Sequence, residues 1–358
     1  MTAILGLGFA TPELTANQQV ATEHALARCA TTTAQQAFVR RVYARSAIDR
    51  RAAVILRDGL FPEPKTTADR GPGTARRLEE FQREAPELAH KACASALGHS
   101  AVAPGKITHL VTASCTGFAA PGVDIAIMQR LGLPNDVQRT NVGFMGCHAA
   151  INALRVAQGL LAHNADARVL LCCVELCSLH FQYGWRSDQV IANALFADGA
   201  AACVLSGAKN DAYRVRATGS CVVPGSTGAM AWRIGDFGFE MGLSPETPAL
   251  IEQSLPNWLD GWLSAHDVTQ SDVGHWAVHP GGPKVLDSVE NALSLERTAL
   301  RHSRAVLADH GNMSSATLLF ILQRILDEGA TKPIVALAFG PGLTIEAALI
   351  DPPSFARV

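Results

Sequence analysis

A cysteine, a histidine and an asparagine stand in settings that suit acyl-transfer chemistry. Cys147 follows Gly143-Phe144-Met145-Gly146, which permits a sharp turn, and precedes a long apolar helical pattern, so its sulfur falls at a helix amino end. There, unpaired N–H groups and the equivalent of about 0.5 positive charge favour a thiolate. Cys115, in the turn Ser114-Cys115-Thr116-Gly117, competes for the same role. Free cysteines usually serve as small buried hydrophobes. Cys172, Cys173 and Cys177 read as strand packing, because no second Cys or His pair stands beside them at zinc spacing, and no metal is expected.

A nucleophilic thiol needs a base or a cation nearby. Among twelve histidines, His279 ends the apolar run Trp276-Ala277-Val278 and enters Pro280-Gly281-Gly282-Pro283, a loop that can present the imidazole to a cavity. His148 adjoins Cys147 in sequence, but one helical step turns its side chain about 100° away. Asn312, within His310-Gly311-Asn312-Met313-Ser314-Ser315-Ala316, stands at an expected helix start. It serves there either as an N-cap or as an amide donor to an oxyanion, and propensity leaves both readings open.

The elements that must position these groups come from a chain of 358 residues with 30 Lys+Arg, 32 Asp+Glu and 48% hydrophobic residues. That length exceeds the ~250 to 300 residues at which single cores stop growing, so two lobes or a duplicated architecture are expected. A net charge of -2 and 6% aromatics give neither a field for a polyanion nor a stacking platform, which argues against nucleic acid. Nine scattered cysteines, an odd number, suggest a reducing compartment. No apolar run is long enough to cross a membrane. The opening MTAILGLGFA lacks a basic leader and reads as a buried first strand. A soluble, cytoplasmic protein is expected.

The pattern along the chain is α/β. Asn17 to Ala47 has helical spacing, Leu56 to Gly73 reads as a surface loop, and Thr74 to Gly98 as a helix. Ile107 to Ala113 is an expected strand leading through the Cys115 turn into a helix from Gly122 to Leu131. Thr140 to Gly146 then runs into a helix from Cys147 to Ala162, followed by strands at Arg168 to Glu175 and Ala200 to Ser206. The second half repeats this vocabulary: strand His275 to His279, helix Lys284 to Leu293, a helix opened by Gly311 and running to Gly329, and strand Ile334 to Phe339. Gly207 to Ala212 breaks the apolar pattern, which places the junction there, with halves 1–208 and 209–358.

These pieces together resemble the type III polyketide synthases, the chalcone and stilbene synthase superfamily, and more its bacterial members than its plant ones. The resemblance rests on Gly146-Cys147-His148-Ala149-Ala150, Ala194-Leu195-Phe196-Ala197-Asp198-Gly199-Ala200, His279-Pro280-Gly281-Gly282-Pro283-Lys284, Gly311-Asn312-Met313-Ser314-Ser315-Ala316 and Phe339-Gly340-Pro341-Gly342-Leu343-Thr344. It implies a thiolase-like duplicated five-layer αβαβα fold, Cys147, His279 and Asn312 as catalytic residues, and Phe196 and Phe239 as cavity-gating aromatics. It implies coenzyme A thioesters as substrates, an acyl-CoA starter and malonyl-CoA, with no bound cofactor, and association as a homodimer. Arg41, Arg45 and Lys284 match positions that contact the coenzyme A phosphates, although Phe38 stands one turn earlier where a base is expected.

Departures concern the cavity. Ala120 stands where plant relatives push a Met into the neighbouring subunit, Cys177 and His180 where they carry Thr, and Met230 where they carry Gly. A fatty acyl starter leading to a pyrone or resorcinol, or an aromatic starter leading to a phloroglucinol-type product, are both compatible with this pattern. The nearest rival is a ketoacyl-ACP synthase III, which condenses once, or a pyrone-forming ketosynthase fed by an acyl carrier protein. Against the former, Pro-Gly-Gly-Pro follows His279 where that family has a Gln-Ala-Asn run. A hydroxymethylglutaryl-CoA synthase would need a Glu near the nucleophile, and none stands between Asn141 and Ala165. A dinucleotide site is disfavoured because Gly6-Leu7-Gly8 lacks a third Gly and Pro341 removes an N–H from Gly340-Pro341-Gly342.

Overall fold

The structure is a computed structural model that describes residues 1–207 and 211–353, so the boundary expected between 208 and 209 lies outside the described residues. The chain starts with β1 (Thr2–Ala10), β2 (Thr15–Asn17), α1 (Gln18–Cys29), α2 (Thr33–Ala44), β3 (Arg50–Ala52) and α3 (Thr74–Ser100). Then follow β4 (His109–Ser114), α4 (Val123–Leu131), β5 (Gln138–Gly143), α5 (Ala149–His163), β6 (Arg168–Leu176), α6 (Ser187–Leu195) and β7 (Asp198–Gly207). The second half opens with β8 (Arg214–Val222), a hairpin of β9 (Met230–Gly235) and β10 (Gly238–Leu243), and α7 (Thr247–Ser264). It closes with β11 (His275–Val278), α8 (Pro283–Leu293), α9 (Arg301–His310), α10 (Thr317–Asp327), β12 (Ile334–Gly340) and β13 (Thr344–Asp351).

The main sheet has the order β11-β12-β13-β8-β1-β7-β6-β4-β5. Its two halves meet at a narrow seam. β1 pairs with β7 from Thr2 to Ala10, but with β8 only at Thr2↔Val215 and Ala3↔Arg214. Strand periodicity then builds the layers. On β6, Val169, Leu171 and Cys173 face one core, while Leu170, Cys172 and Val174 face another with α1, α2 and α3. On β12, Ile334, Ala336 and Ala338 join the first of these cores, and Val335, Leu337 and Phe339 pack outward with α7 and α8.

α5 and α10 contribute to the shared central core, so they are apolar nearly all round, as a helix sandwiched between two sheets must be. The result is the duplicated five-layer αβαβα arrangement. Cys172 and Cys173 are fully buried strand residues, as their sequence setting implied.

Two boundaries differ from expectation. The helix expected from Cys147 begins at Ala149, because Cys147 itself sits in a 3₁₀ turn, Gly146–His148. The helix expected from Gly311 begins at Thr317, after a second 3₁₀ turn at Ser314–Ala316. In both places the tighter turn aims a side chain inward before the α-helix starts.

β1 lies against α3 at backbone distance. A Cβ on Gly6 would come within 2.6 Å of the Ser100 nitrogen, and one on Gly8 would overlap the α3 backbone at Ala92 and Ala96. Backbone cannot give way as a flexible side chain does. Gly8→Ala is therefore expected to destabilise the fold by about 3 kcal/mol, the upper end for overpacking. Chemical denaturation should register this as a lower midpoint, and an unshifted midpoint would refute the close approach.

Candidate active site

Each functional side chain is set by a local constraint. Before Cys147 the chain turns through Phe144 at φ 57° and Gly146 at φ 79°, and a Cβ on Gly146 would lie 2.5 Å from Pro341 Cδ. Glycine is needed there for both reasons. The Gly146 N–H donates to Cys115 Sγ at 2.9 Å, which ties the rival cysteine to the turn that carries Cys147.

His279 follows β11, where its N–H donates to the Leu337 carbonyl at 2.8 Å. Asn312 is held by an isolated β-bridge to Phe196: its N–H donates to Leu195 O and its carbonyl accepts from Ala197 N, each at 2.9 Å. Its Oδ1 accepts from the Ser314 N–H at 2.8 Å, so its NH2 group is left to face the pocket. The N-cap alternative for Asn312 is thereby corrected, since α10 starts five residues later at Thr317.

Cys147, His279 and Asn312 line one cavity of about 470 Å³, together with Phe196, Met230, Met241, Leu243 and Phe339. Cys147 also borders a second cavity of about 360 Å³ with Cys115, Cys177, Trp232 and Ser314. All three polar residues are buried, and among the described residues neither ring nitrogen of His279 has a hydrogen-bond partner. Buried polar groups are nearly always paired, so an unpaired imidazole in a cavity marks a place reserved for another molecule.

Burial also governs charge. It pushes the Cys147 thiol up to about 12, with buried Glu175 adding to the rise, while hydrogen bonds from Ser314 and Asn312 pull the other way. Burial, aided by His148, pushes His279 down to about 3. The helix amino end alone therefore does not make Cys147 a thiolate, which corrects the expectation from sequence: desolvation outweighs the dipole. Each ion is disfavoured alone. Moving one proton from sulfur to imidazole would leave the pocket's net charge unchanged, which is the less costly way to ionise two groups in a dry site.

Residues that the sequence did not single out shape the surroundings. Glu175 is fully buried and accepts from the Cys115 N–H at 3.0 Å, Thr116 Oγ1 at 2.7 Å and Ser315 Oγ at 2.5 Å, which joins the Cys115 turn to the Asn312 loop. Asp198 accepts from the N–H groups of Val54 and Ser178, both at 2.7 Å, and burial raises its carboxyl to about 6. His148 bonds Asn152 Oδ1 at 2.7 Å, and Asn152 passes the contact to Glu346 at 3.1 Å. That chain keeps His148 occupied, in line with the choice of His279.

Residues 1–209 match the family described as chalcone and stilbene synthases, N-terminal domain, and residues 215–352 match its C-terminal domain. The chain belongs to this family. It is a type III polyketide synthase, an acyltransferase that works by decarboxylative condensation. It is 32% identical to a 3,5-dihydroxyphenylacetyl-CoA synthase of Streptomyces toyocaensis, over 87% of this chain and 82% of the relative. It is 33% identical to the alpha-pyrone synthesis polyketide synthase-like Pks18 of Mycobacterium tuberculosis, over 97% and 90% of the two chains. The structure superposes on PKS-I of the brown alga Ectocarpus siliculosus with a TM-score of 0.92, 28% identity and 98% of each chain covered. The C-terminal type III polyketide synthase domain of Steely1 from Dictyostelium gives 0.91, 27% and 99% of each. The thiolase-like α/β fold is common to all of them.

In this polyketide synthase a third, distal compartment of about 600 Å³ lies beyond Phe196. Cys177, His180 and Phe239 line it, with Ala16, Ala21, Ala53, Ile55 and Leu56 on its walls. His180 accepts from the Phe239 N–H at 3.0 Å on Nδ1 and meets the Thr116 carbonyl at 2.7 Å on Nε2, which assigns the proton to Nε2. Its ring stacks on Phe239 at 4.1 Å, and burial pushes it down to about 3. Phe239 thus lines the distal compartment and not the cavity of Cys147, whereas Phe196 borders all three.

Met230 lines both cavities of Cys147. Ala120 is exposed and lines none of these spaces. Arg41, Arg45 and Lys284 are exposed, Arg41 on α2 and Arg45 capping its C-terminus. Trp232 and Met241 were missed by sequence reasoning; the only signal was the alternation of a short hairpin.

If the proton of Cys147 passes to His279, alkylation of Cys147 by iodoacetamide should reach a plateau near neutral pH in the native enzyme. In His279→Ala it should be about tenfold or more slower at pH 7 and climb steadily with pH, because the lone thiol keeps its raised pKa. Peptide mapping by mass spectrometry reads both curves. Equal rates in the two proteins would separate His279 from the sulfur.

Proposed function

We propose that this synthase loads an acyl starter on Cys147, extends it repeatedly with malonyl-CoA and closes the product to a pyrone or resorcinol. The observation that carries the assignment is the common cavity of Cys147, His279 and Asn312 with both His279 nitrogens unpaired. The Cys147 sulfur attacks the thioester carbonyl of the starter while His279 takes its proton, then returns it to the departing coenzyme A thiolate. His279, through its N–H, and the Asn312 amide donate to the thioester oxygen of malonyl-CoA. Loss of CO2 then leaves an enolate held by two hydrogen bonds. Its carbon attacks the acyl group, and the Cys147 thiolate leaves.

No bound cofactor enters these steps, because the substrate's own carboxylate supplies the electron pair. Arg41 and Arg45 suit the coenzyme A phosphates: α2 also carries Tyr43 to the distal compartment, and among the described residues neither arginine is in an ion pair. Lys284 adjoins Val285, which lines the catalytic cavity. Ala16, Ala21, Ala53, Ile55 and Leu56 on one wall of the distal compartment favour a fatty acyl starter, and the likeness to an alpha-pyrone synthesis polyketide synthase-like protein favours a pyrone. An acyl carrier protein stands as an alternative donor of the starter.

Exposed Phe118, Phe144 and Met145 lie beside β5, the last strand of the sheet, and support a homodimer through that edge. Ala120 in the same loop would then face the partner. All nine cysteines are unpaired, which supports a reducing, cytoplasmic setting. No helix among the described residues is long and apolar enough to cross a membrane.

Labelled malonyl-CoA with a panel of acyl-CoA starters should yield products carrying more than one extender unit by mass spectrometry, and Cys147→Ala should form no acyl-enzyme. A product with a single extender unit would move the assignment to a single-condensation synthase.

A further inference from the structure

One interior wall is accounted for neither by the motifs nor by the triad. The β9–β10 hairpin stands outside the main sheet, and its register sets Met230 opposite Leu243, Trp232 opposite Met241 and Ile234 opposite Phe239. Directly opposed residues of an antiparallel pair share a face. That face lines the interior, with Met230, Trp232, Phe239, Met241 and Leu243 each bordering at least one cavity. The side chains common to the distal compartment and the Cys147–Cys115 cavity are Cys177, Phe196, Trp232 and Met241. These four make the neck between the two spaces.

Trp232 is the largest of the four and is firmly held. Its Nε1–H donates to the Cys115 carbonyl at 2.7 Å, and its ring stands edge-on to His180 at 5.5 Å and Phe239 at 5.9 Å, with Phe196 at 6.0 Å. His180 is itself tied at both ring nitrogens. The indole cannot swing out of the neck without giving up a hydrogen bond and its aromatic contacts. Across from it, Met241 has its backbone carbonyl held by Gln189 Nε2 at 2.7 Å, but its thioether is unbranched and adaptable. One side of the neck is rigid and the other compliant.

We propose that Trp232 is a specificity-determining residue, setting which acyl tails can pass from Cys147 into the distal compartment. This rests on the acyl-loading reading above and deepens it. A starter bound to Cys147 has two cavities open to it at the sulfur, and a tail that outgrows them on the Cys115 side must thread the neck into the distal compartment. A linear chain is one methylene wide and can displace the thioether as it passes. An aryl or branched tail must displace the fixed indole. The native enzyme therefore prefers linear acyl-CoA starters to aryl ones of equal carbon number, and trimming the indole relaxes that preference.

The test is the ratio of kcat/KM for an aryl starter to that for a linear starter of the same carbon number, since a ratio does not depend on the fraction of folded protein. In Trp232→Leu and Trp232→Ala it should rise about tenfold or more, with Trp232→Phe between these and the native enzyme. Met241→Ala, cut from the other side of the neck, should move the ratio in the same direction and carries the test alone if no Trp232 variant folds. A ratio that stays put, or starters that all lose turnover in proportion, would overturn the inference. A native enzyme that condenses no starter of either class would instead overturn the functional reading beneath it.

Discussion

The site depends on a short piece of backbone pairing between the two halves of the chain. Two main-chain hydrogen bonds join Asn312 to Leu195 and Ala197, the neighbours of Phe196, so Asn312 of one half and Phe196 of the other cannot move independently. Pro341 packed against Gly146 ties the Cys147 turn to the second half, and Ser315 bonded to Glu175 ties β6 to it. Backbone contacts of this kind are stiff, and catalysis by preorganised donors needs that stiffness. A pocket assembled from side chains alone would have to order them anew in each cycle.

Burial is the second constraint, and it acts on protonation. Cys147 and His279 are both pushed toward their neutral forms, so neither is a standing ion. The same dryness suits an enolate, which water would protonate, and it strengthens the hydrogen bonds from His279 and Asn312. Desolvation thus works against the resting thiolate and for the reaction that follows.

The interior is divided rather than single. Phe196 borders three spaces, and the hairpin β9–β10 supplies a wall to each of them from one face. The hairpin lies outside the main sheet, although Trp232 reaches back to pack against the central core. The triad, by contrast, is anchored to the strands and turns of the shared core. Members of a family can then keep one condensation chemistry while altering what fits around it.

Much of this protein was legible in its amino-acid order. The strand and helix vocabulary follows from period-2 and period-3.6 patterns, and the nucleophile, base and amide stood out because turn-forming residues flank each of them. Those are local signals. Helix starts near Cys147 and Asn312 were misplaced because the 3₁₀ turns there are imposed by tertiary contacts, the Gly146 packing on Pro341 and the Asn312 bridge to Phe196. Glu175 reads as one more residue of a central strand until three donors from two separate loops converge on it. The thiolate expected at a helix end is set aside by burial, which no local pattern reports. Trp232 and Met241 carried no motif, and only the fold decided that they stand between two cavities. Sequence determined which groups could react, because residue type fixes chemistry. Distance and dryness come from contacts between remote segments, and these only the tertiary structure decided.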